Sequence, residues 1–146
     1  MPRKYTGTND CPADGKRPGT EKLVNLFQRR YGKKVLNLGT WMVRDTWAGT
    51  PSTHGTGRAA DIGYTDRTVG IEIWSWLVNN SKTLGIEAVH DYVKSRAYRC
   101  SRGEGVAGVR KATDLGPGGN WIHVEISPTM ADDAAKFEAA WRSIPR

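Results

Sequence analysis

Apolar positions along this chain recur with two periods, and the switches between them outline the elements. From Thr20 to Tyr31, the residues Leu23, Val24, Phe27 and Tyr31 return at helical spacing. Thr20 can cap such a helix, Glu21 suits its first turn, and Gly32 ends it. Leu36 to Val43 reads as a strand, with Leu36, Leu38 and Met42 facing inward. Residues 45–58 form a Thr/Gly/Ser/Pro loop that leads into a short strand, Arg58 to Ile62. Asp66 or Thr68 then opens a second helix, whose Val69, Ile73, Trp76 and Leu77 make one apolar face before Gly85 stops it. Ile86 to Tyr92 has the β-branched content of a strand. Residues 94–119 are rich in glycine and charge and predict a long loop with little regular structure. Trp121 to Ile126 is the last strand, and Ser127-Pro128 starts a last helix with Met130, Ala134, Phe137, Trp141 and Ile144 on its apolar stripe. The expected fold is α+β: a small, mainly antiparallel sheet flanked by helices, with long Gly-rich loops around a cleft. Residues 1–19, rich in Pro, Gly, Asp, Lys and Thr, predict an irregular opening segment of a single domain spanning 1–146.

Composition narrows the class. At 146 residues, 38% hydrophobic and with six Trp, the chain can bury a core without disulfide support. No apolar run is long enough to span a membrane, and the start Met-Pro-Arg-Lys-Tyr-Thr lacks the apolar stretch of a secretory signal. Synthesis in the cytoplasm without a signal peptide is therefore expected, as a monomer. Cys11 and Cys100 lack metal-site spacing and read as idle thiols or a single bridge. The net charge of +7 favours an anionic partner, either nucleic acid or an acidic cell-wall polymer. A basic helix, an RNA-binding aromatic motif and finger spacing are all missing, which ranks nucleic acid last.

The candidate chemistry lies in two segments. Ser52 to Asp61 holds His54 and Asp61, seven residues apart with Gly55 and Gly57 between them. That spacing does not make neighbours on a helix, whereas a turn followed by a strand brings them together, and glycines let the chain approach an ion closely. In Trp121–Ile126, strand alternation puts Trp121, His123 and Glu125 on one face and Ile122, Val124 and Ile126 on the core face. Two His and one Asp on a metal ion leave a fourth position open for water, the layout of a hydrolytic zinc site. Taken singly, a histidine in a strand is more often a hydrogen-bonded core residue than a ligand, and the His54–Asp61 spacing alone recurs by chance.

The block Ser52, His54, Gly57, Ala59, Asp61, met later by His123 and Glu125, resembles the zinc D-alanyl-D-alanine and L-alanyl-D-glutamate peptidases. That superfamily also holds the hedgehog signalling domain. The order of blocks, including His90-Asp91-Tyr92, Tyr98-Arg99-Cys100 and Gly116 to Gly119, is similar to the N-terminal peptidase domain of actinobacteriophage endolysins. The resemblance implies zinc held by His54, Asp61 and His123, acting on peptidoglycan stem peptides, with anionic wall polymers as a second partner.

In the resembling enzymes zinc activates water for attack on the peptide carbonyl, and a carboxylate or His carries the proton. Many of them keep that base three residues before the last ligand, as Asp or Glu, or two before it, as His. Here those positions are Asn120 and Trp121. Glu125, His90 and Asp91 are the replacements available. For Glu125 the alternative is a carboxylate that orients His123; for Asp91 it is a strand-end turn residue, and for His90 a core imidazole. Arg44 stands ten residues before His54, where the resemblance implies an arginine holding a substrate carboxylate or the oxyanion. Ser52 is the candidate for orienting the loop or touching substrate, and Trp41, Trp47 and Trp121 for lining the cleft. A zinc module that binds the wall without cleaving it is the second functional class, motivated by Asn120.

Overall fold

The computed structural model describes residues 2–9, 13–43, 46, 49 and 51–146. Five helices and six strands appear among them: α1 Pro18–Tyr31, β1 Val35–Asn37, β2 Ala59–Tyr64, α2 Arg67–Asn79, α3 Ser81–Leu84, β3 Ile86–Asp91, β4 Arg96–Arg99, β5 Val109–Lys111, β6 Trp121–Ile126, α4 Pro128–Ala131 and α5 Ala134–Arg142. The strands form one antiparallel sheet in the order β1-β2-β6-β3-β4-β5. The α+β expectation is borne out.

Pleating gives the sheet two chemically different faces. Ile62, Val89, Tyr98, Ile122, Val124 and Ile126 point to the helical side, where they join Leu23, Phe27, Ile73, Leu77 and Phe137 in one buried cluster. The other face carries Asp61, His90, His123 and Glu125. Short polar caps hold the helices that roof the core. Asp66 accepts the Thr68 N–H at 2.9 Å at the start of α2, and Asp133 accepts the Lys136 N–H at 2.9 Å at the start of α5.

Several expectations need correction. α1 starts at Pro18 rather than at a Thr20 cap, and the helix foreseen from Asp66 to Gly85 breaks at Asn80 into α2 and α3. The strand foreseen at 36–43 is only Val35–Asn37, with Val35 as its buried residue. Leu36, Leu38 and Met42 are 46%, 50% and 52% exposed rather than inward. This is an edge strand, and Leu36 and Leu38 lie beside Gly63 on the face that no helix covers. The stretch 94–119 is not an unstructured loop, because it contains β4 and β5. Their short, arginine-rich text shows no strand period; pairing decides them, β4 with β3 and β5 with β4. The last helix is two, since Ser127 caps α4 while Asp133 restarts the chain as α5.

Replacing the fully buried Phe137 by alanine is expected to cost about 3–5 kcal/mol through the cavity it leaves. Asp66→Ala removes only a cap and is expected to cost about 1 kcal/mol. Urea midpoints of the two variants against the parent chain check the ranking.

Candidate metal centre

Strand register builds most of the site. Asp61 on β2 lies opposite His123 on β6, and His123 in turn lies opposite His90 on β3. These three form one row across the middle of the sheet. In the adjacent row Glu125 sits between Ala59 and Ala88, whose methyl side chains leave it room. His54 comes from a 3-10 turn, Thr53–Thr56, just before β2. The Ser52 hydroxyl accepts the His54 N–H at 3.2 Å, and Gly57 closes the turn with φ 74°, a left-handed conformation that favours glycine.

The side chains converge. Asp61 turns one carboxylate oxygen to each imidazole: Oδ2 lies 3.1 Å from His54 Nε2, and Oδ1 lies 3.1 Å from His123 Nδ1. One donor atom from each of His54, Asp61 and His123 lies within 4.8 Å of the other two. Two imidazole nitrogens and one carboxylate oxygen at this separation suit a divalent metal ion. The far nitrogen of His123, Nε2, is 2.8 Å from Glu125 Oε2. A carboxylate on the remote ring nitrogen fixes the tautomer and would leave the lone pair of Nδ1 to a metal ion. Glu125 is itself held by the Tyr5 hydroxyl at 2.5 Å and the Thr53 hydroxyl at 3.2 Å. The cluster opens into a cleft of about 620 Å³, lined also by His90, Tyr92, Arg99 and Trp121.

The electrostatics follow the contacts. Burial works against the charged form of His123, but the Asp61 and Glu125 hydrogen bonds outweigh it and push its pKa up to about 10. Burial would raise Glu125, yet its hydrogen bond with His123 brings it down to about 2. Asp61 is likewise held below the usual carboxylate range, with the two histidines overcoming its burial. His90 shifts the other way. Burial and then the nearby His123 charge push it down to about 3, so it is a neutral imidazole at neutral pH.

His54, Asp61 and His123 thus stand together as expected, with Glu125 directly behind His123. The His90 ring stacks on His123 at 4.7 Å and makes no hydrogen bond among the described residues. Asp91 does not share the site. It points to the opposite face, fully buried, where Arg67 Nη2 at 2.8 Å and Arg96 Nε at 2.9 Å hold it. Strand alternation makes this unavoidable, since adjacent residues face opposite sides. Ser52 lines the cleft as well as capping the His54 turn. Trp121 lines the cleft, whereas Trp41 gives its indole N–H to the Ala13 carbonyl at 2.9 Å. Arg44, Trp47 and Cys11 lie outside the described residues, and Cys100 is a buried free thiol. Sequence reasoning missed Tyr5, which sits in the irregular opening segment, and Thr53, one position before the first histidine. Neither belongs to a periodic pattern that would have marked it.

Fold and site define an α+β protein with a candidate His-Asp-His metal centre on the uncovered face of its sheet. The chain belongs to the family described as VldE, C-terminal domain, whose model matches residues 12–92, just over half its length. The matched stretch carries His54, Asp61 and His90 and ends before His123 and Glu125. No match is found among curated proteins or solved structures.

For chelated protein, thermal stability is expected to peak near pH 6.5. The raised His123 pKa contributes stability that is full below its ordinary 6.5 and is lost as pH rises through about 10. The lowered Glu125 pKa contributes above its ordinary 4.5 and is lost as pH falls through about 2. The lowered His90 pKa adds a loss on acidification from 6.5 toward about 3. Melting curves from pH 3 to 10 check the profile, and His123→Gln should flatten its alkaline limb.

Proposed function

We propose that this protein is a zinc-dependent peptidoglycan peptidase that hydrolyses a stem-peptide amide bond, as a bacteriophage endolysin does in cell-wall lysis. The observation that carries the proposal is the convergence of His54, Asp61 and His123 at a cleft, with Glu125 on the remote nitrogen of His123. The resemblance of the Ser52–Asp61 and His123–Glu125 segments to the zinc D-alanyl-D-alanine peptidases supplies the reaction class.

In this proposal His54, Asp61 and His123 hold the ion, which supplies Lewis acidity and brings the pKa of water toward about 7. Glu125 acts as an orienting carboxylate, not as the base, because its oxygens are taken by Tyr5, Thr53 and His123. The proton carrier we assign is His90. It lines the cleft beside His123, and its ring nitrogens have no hydrogen-bond partner among the described residues. Its ring is neutral at neutral pH, and burial and the His123 charge hold its basicity low; position in the cleft, rather than basicity, is what assigns it the relay of a proton from water to the leaving amine. The +7 charge concentrates the protein on anionic wall polymers by long-range attraction. No described helix is long and apolar enough to cross a membrane. We propose that the protein acts at the bacterial cell wall.

A second reading is a zinc module that binds the wall without cleaving it, favoured by Asn120 at the position where many of the resembling enzymes carry their base. Zinc content, wall binding and turbidity loss on purified cell walls separate the two. The peptidase reading expects His123→Ala or chelation to abolish turbidity loss, and His90→Ala to lower kcat about 10²–10⁴-fold. Lysis that survives both chelation and His123→Ala sinks it. Zinc and wall binding with no cleaved stem peptide selects the binding module.

A further inference from the structure

The segment ahead of α1 is tied to the sheet at several points. Arg3 donates from Nη2 to the Ile86 carbonyl at 2.6 Å and from Nε to Glu104 at 2.9 Å. Thr6 gives both its N–H and its hydroxyl to Glu87, each at 2.9 Å. The Gly7 carbonyl accepts from the fully buried Arg58, whose Nη1 also donates to the Ile126 carbonyl at 2.8 Å. Between these ties the Tyr5 ring lies under the Arg99 guanidinium, 4.2 Å from ring centroid to Cζ. Its hydroxyl reaches Glu125 Oε1 at 2.5 Å.

We infer that Tyr5 is a positioning residue of the metal centre, acting through Glu125, and that the opening segment is a working part of the site. Glu125 divides its oxygens: Oε2 serves His123 Nε2 and Thr53, and Oε1 serves Tyr5. The two donors from outside the pair fix where the carboxylate points. With Oε2 accepting, His123 carries a proton on Nε2, which would leave Nδ1 for a metal ion beside Asp61. Without the Tyr5 hydroxyl, Oε1 is a buried carboxylate oxygen that has lost its hydrogen bond. The group is then free to turn, and that change alters what His123 Nε2 meets. The inference rests on the metal-site reading, though not on any catalytic step.

Tyr5→Phe tests it, because the ring and its Arg99 contact remain. Zinc affinity is measured by competition with a chromophoric chelator, and the ligand field by the d–d absorption of bound Co²⁺. Tyr5→Phe is expected to weaken zinc binding about tenfold and to change the Co²⁺ band. In a double-mutant cycle, Tyr5→Phe added to Glu125→Gln should weaken binding no further than Glu125→Gln alone. Zinc affinity and Co²⁺ spectrum matching the parent chain overturn the inference, as do additive losses in the cycle. Should Tyr5→Phe fail to fold, Thr6→Val, which releases one tie of the same segment, carries the comparison. Weakened affinity there supports the inference and unchanged affinity overturns it. A parent chain that binds neither ion overturns the metal-site reading itself, and the inference with it.

Discussion

Two antiparallel registers, Asp61 against His123 and His123 against His90, hold the candidate centre together. Because strand side chains alternate, these pairings put a carboxylate and two imidazoles in one row on the face that the helices leave uncovered. A slip of one residue in β6 would turn His123 and Glu125 into the core and expose Ile122 and Val124. The apolar demand of the helical face is therefore what secures the polar face. The Leu23, Phe27, Ile73, Leu77 and Phe137 packing beneath the sheet supports the candidate metal site from the opposite face.

Around that row, electrostatic and steric features agree. Ala59 and Ala88 flank Glu125 with methyl groups, so a buried carboxylate fits between neighbouring strands. His123 bridges Asp61 and Glu125, so three groups that would each be costly to bury alone compensate one another. A metal ion at this cluster would compete with a proton for His123, and its affinity would then depend on pH. On the other face Asp91 is neutralised by Arg67 and Arg96, and there the ion pairs only fasten β3 to α2 and β4. Adjacent residues of one strand thus serve different ends.

The opening segment extends this economy. Arg58, with no exposure, uses its guanidinium to tie Gly7 and Ile126 together and stands 3.6 Å from Glu87, which in turn holds Thr6. Residues that bind no metal and carry no periodic pattern thereby bring Tyr5 to Glu125. In such a site the ligands set which ion can bind, while the layers behind them set how rigidly the ligands are presented.

Local sequence carried most of the helices and the central strands, and the resemblance of the Ser52–Asp61 and His123–Glu125 segments singled out the trio His54, Asp61 and His123. Periodicity marked α1, α2 and β6; a polar cap marked the start of α2; and glycines around His54 announced a turn close enough for a neighbouring strand to complete. The alternation in β6 also placed His123 and Glu125 together, since a two-residue period is a property of the chain alone. Tertiary structure decided the rest. It made β4 and β5 strands, because their arginines show no apolar period and only pairing, of β4 to β3 and of β5 to β4, supplies their hydrogen bonds. It turned Leu36 and Leu38 outward, because no helix covers that edge. Alternation alone put His90 and Asp91 on opposite sides of β3, but pairing with β6 decided that His90 is the one beside His123, and the fold brought Tyr5 across 120 positions of chain to Glu125. Contacts of that kind depend on which distant strands become neighbours, and no local pattern of residue types contains that information.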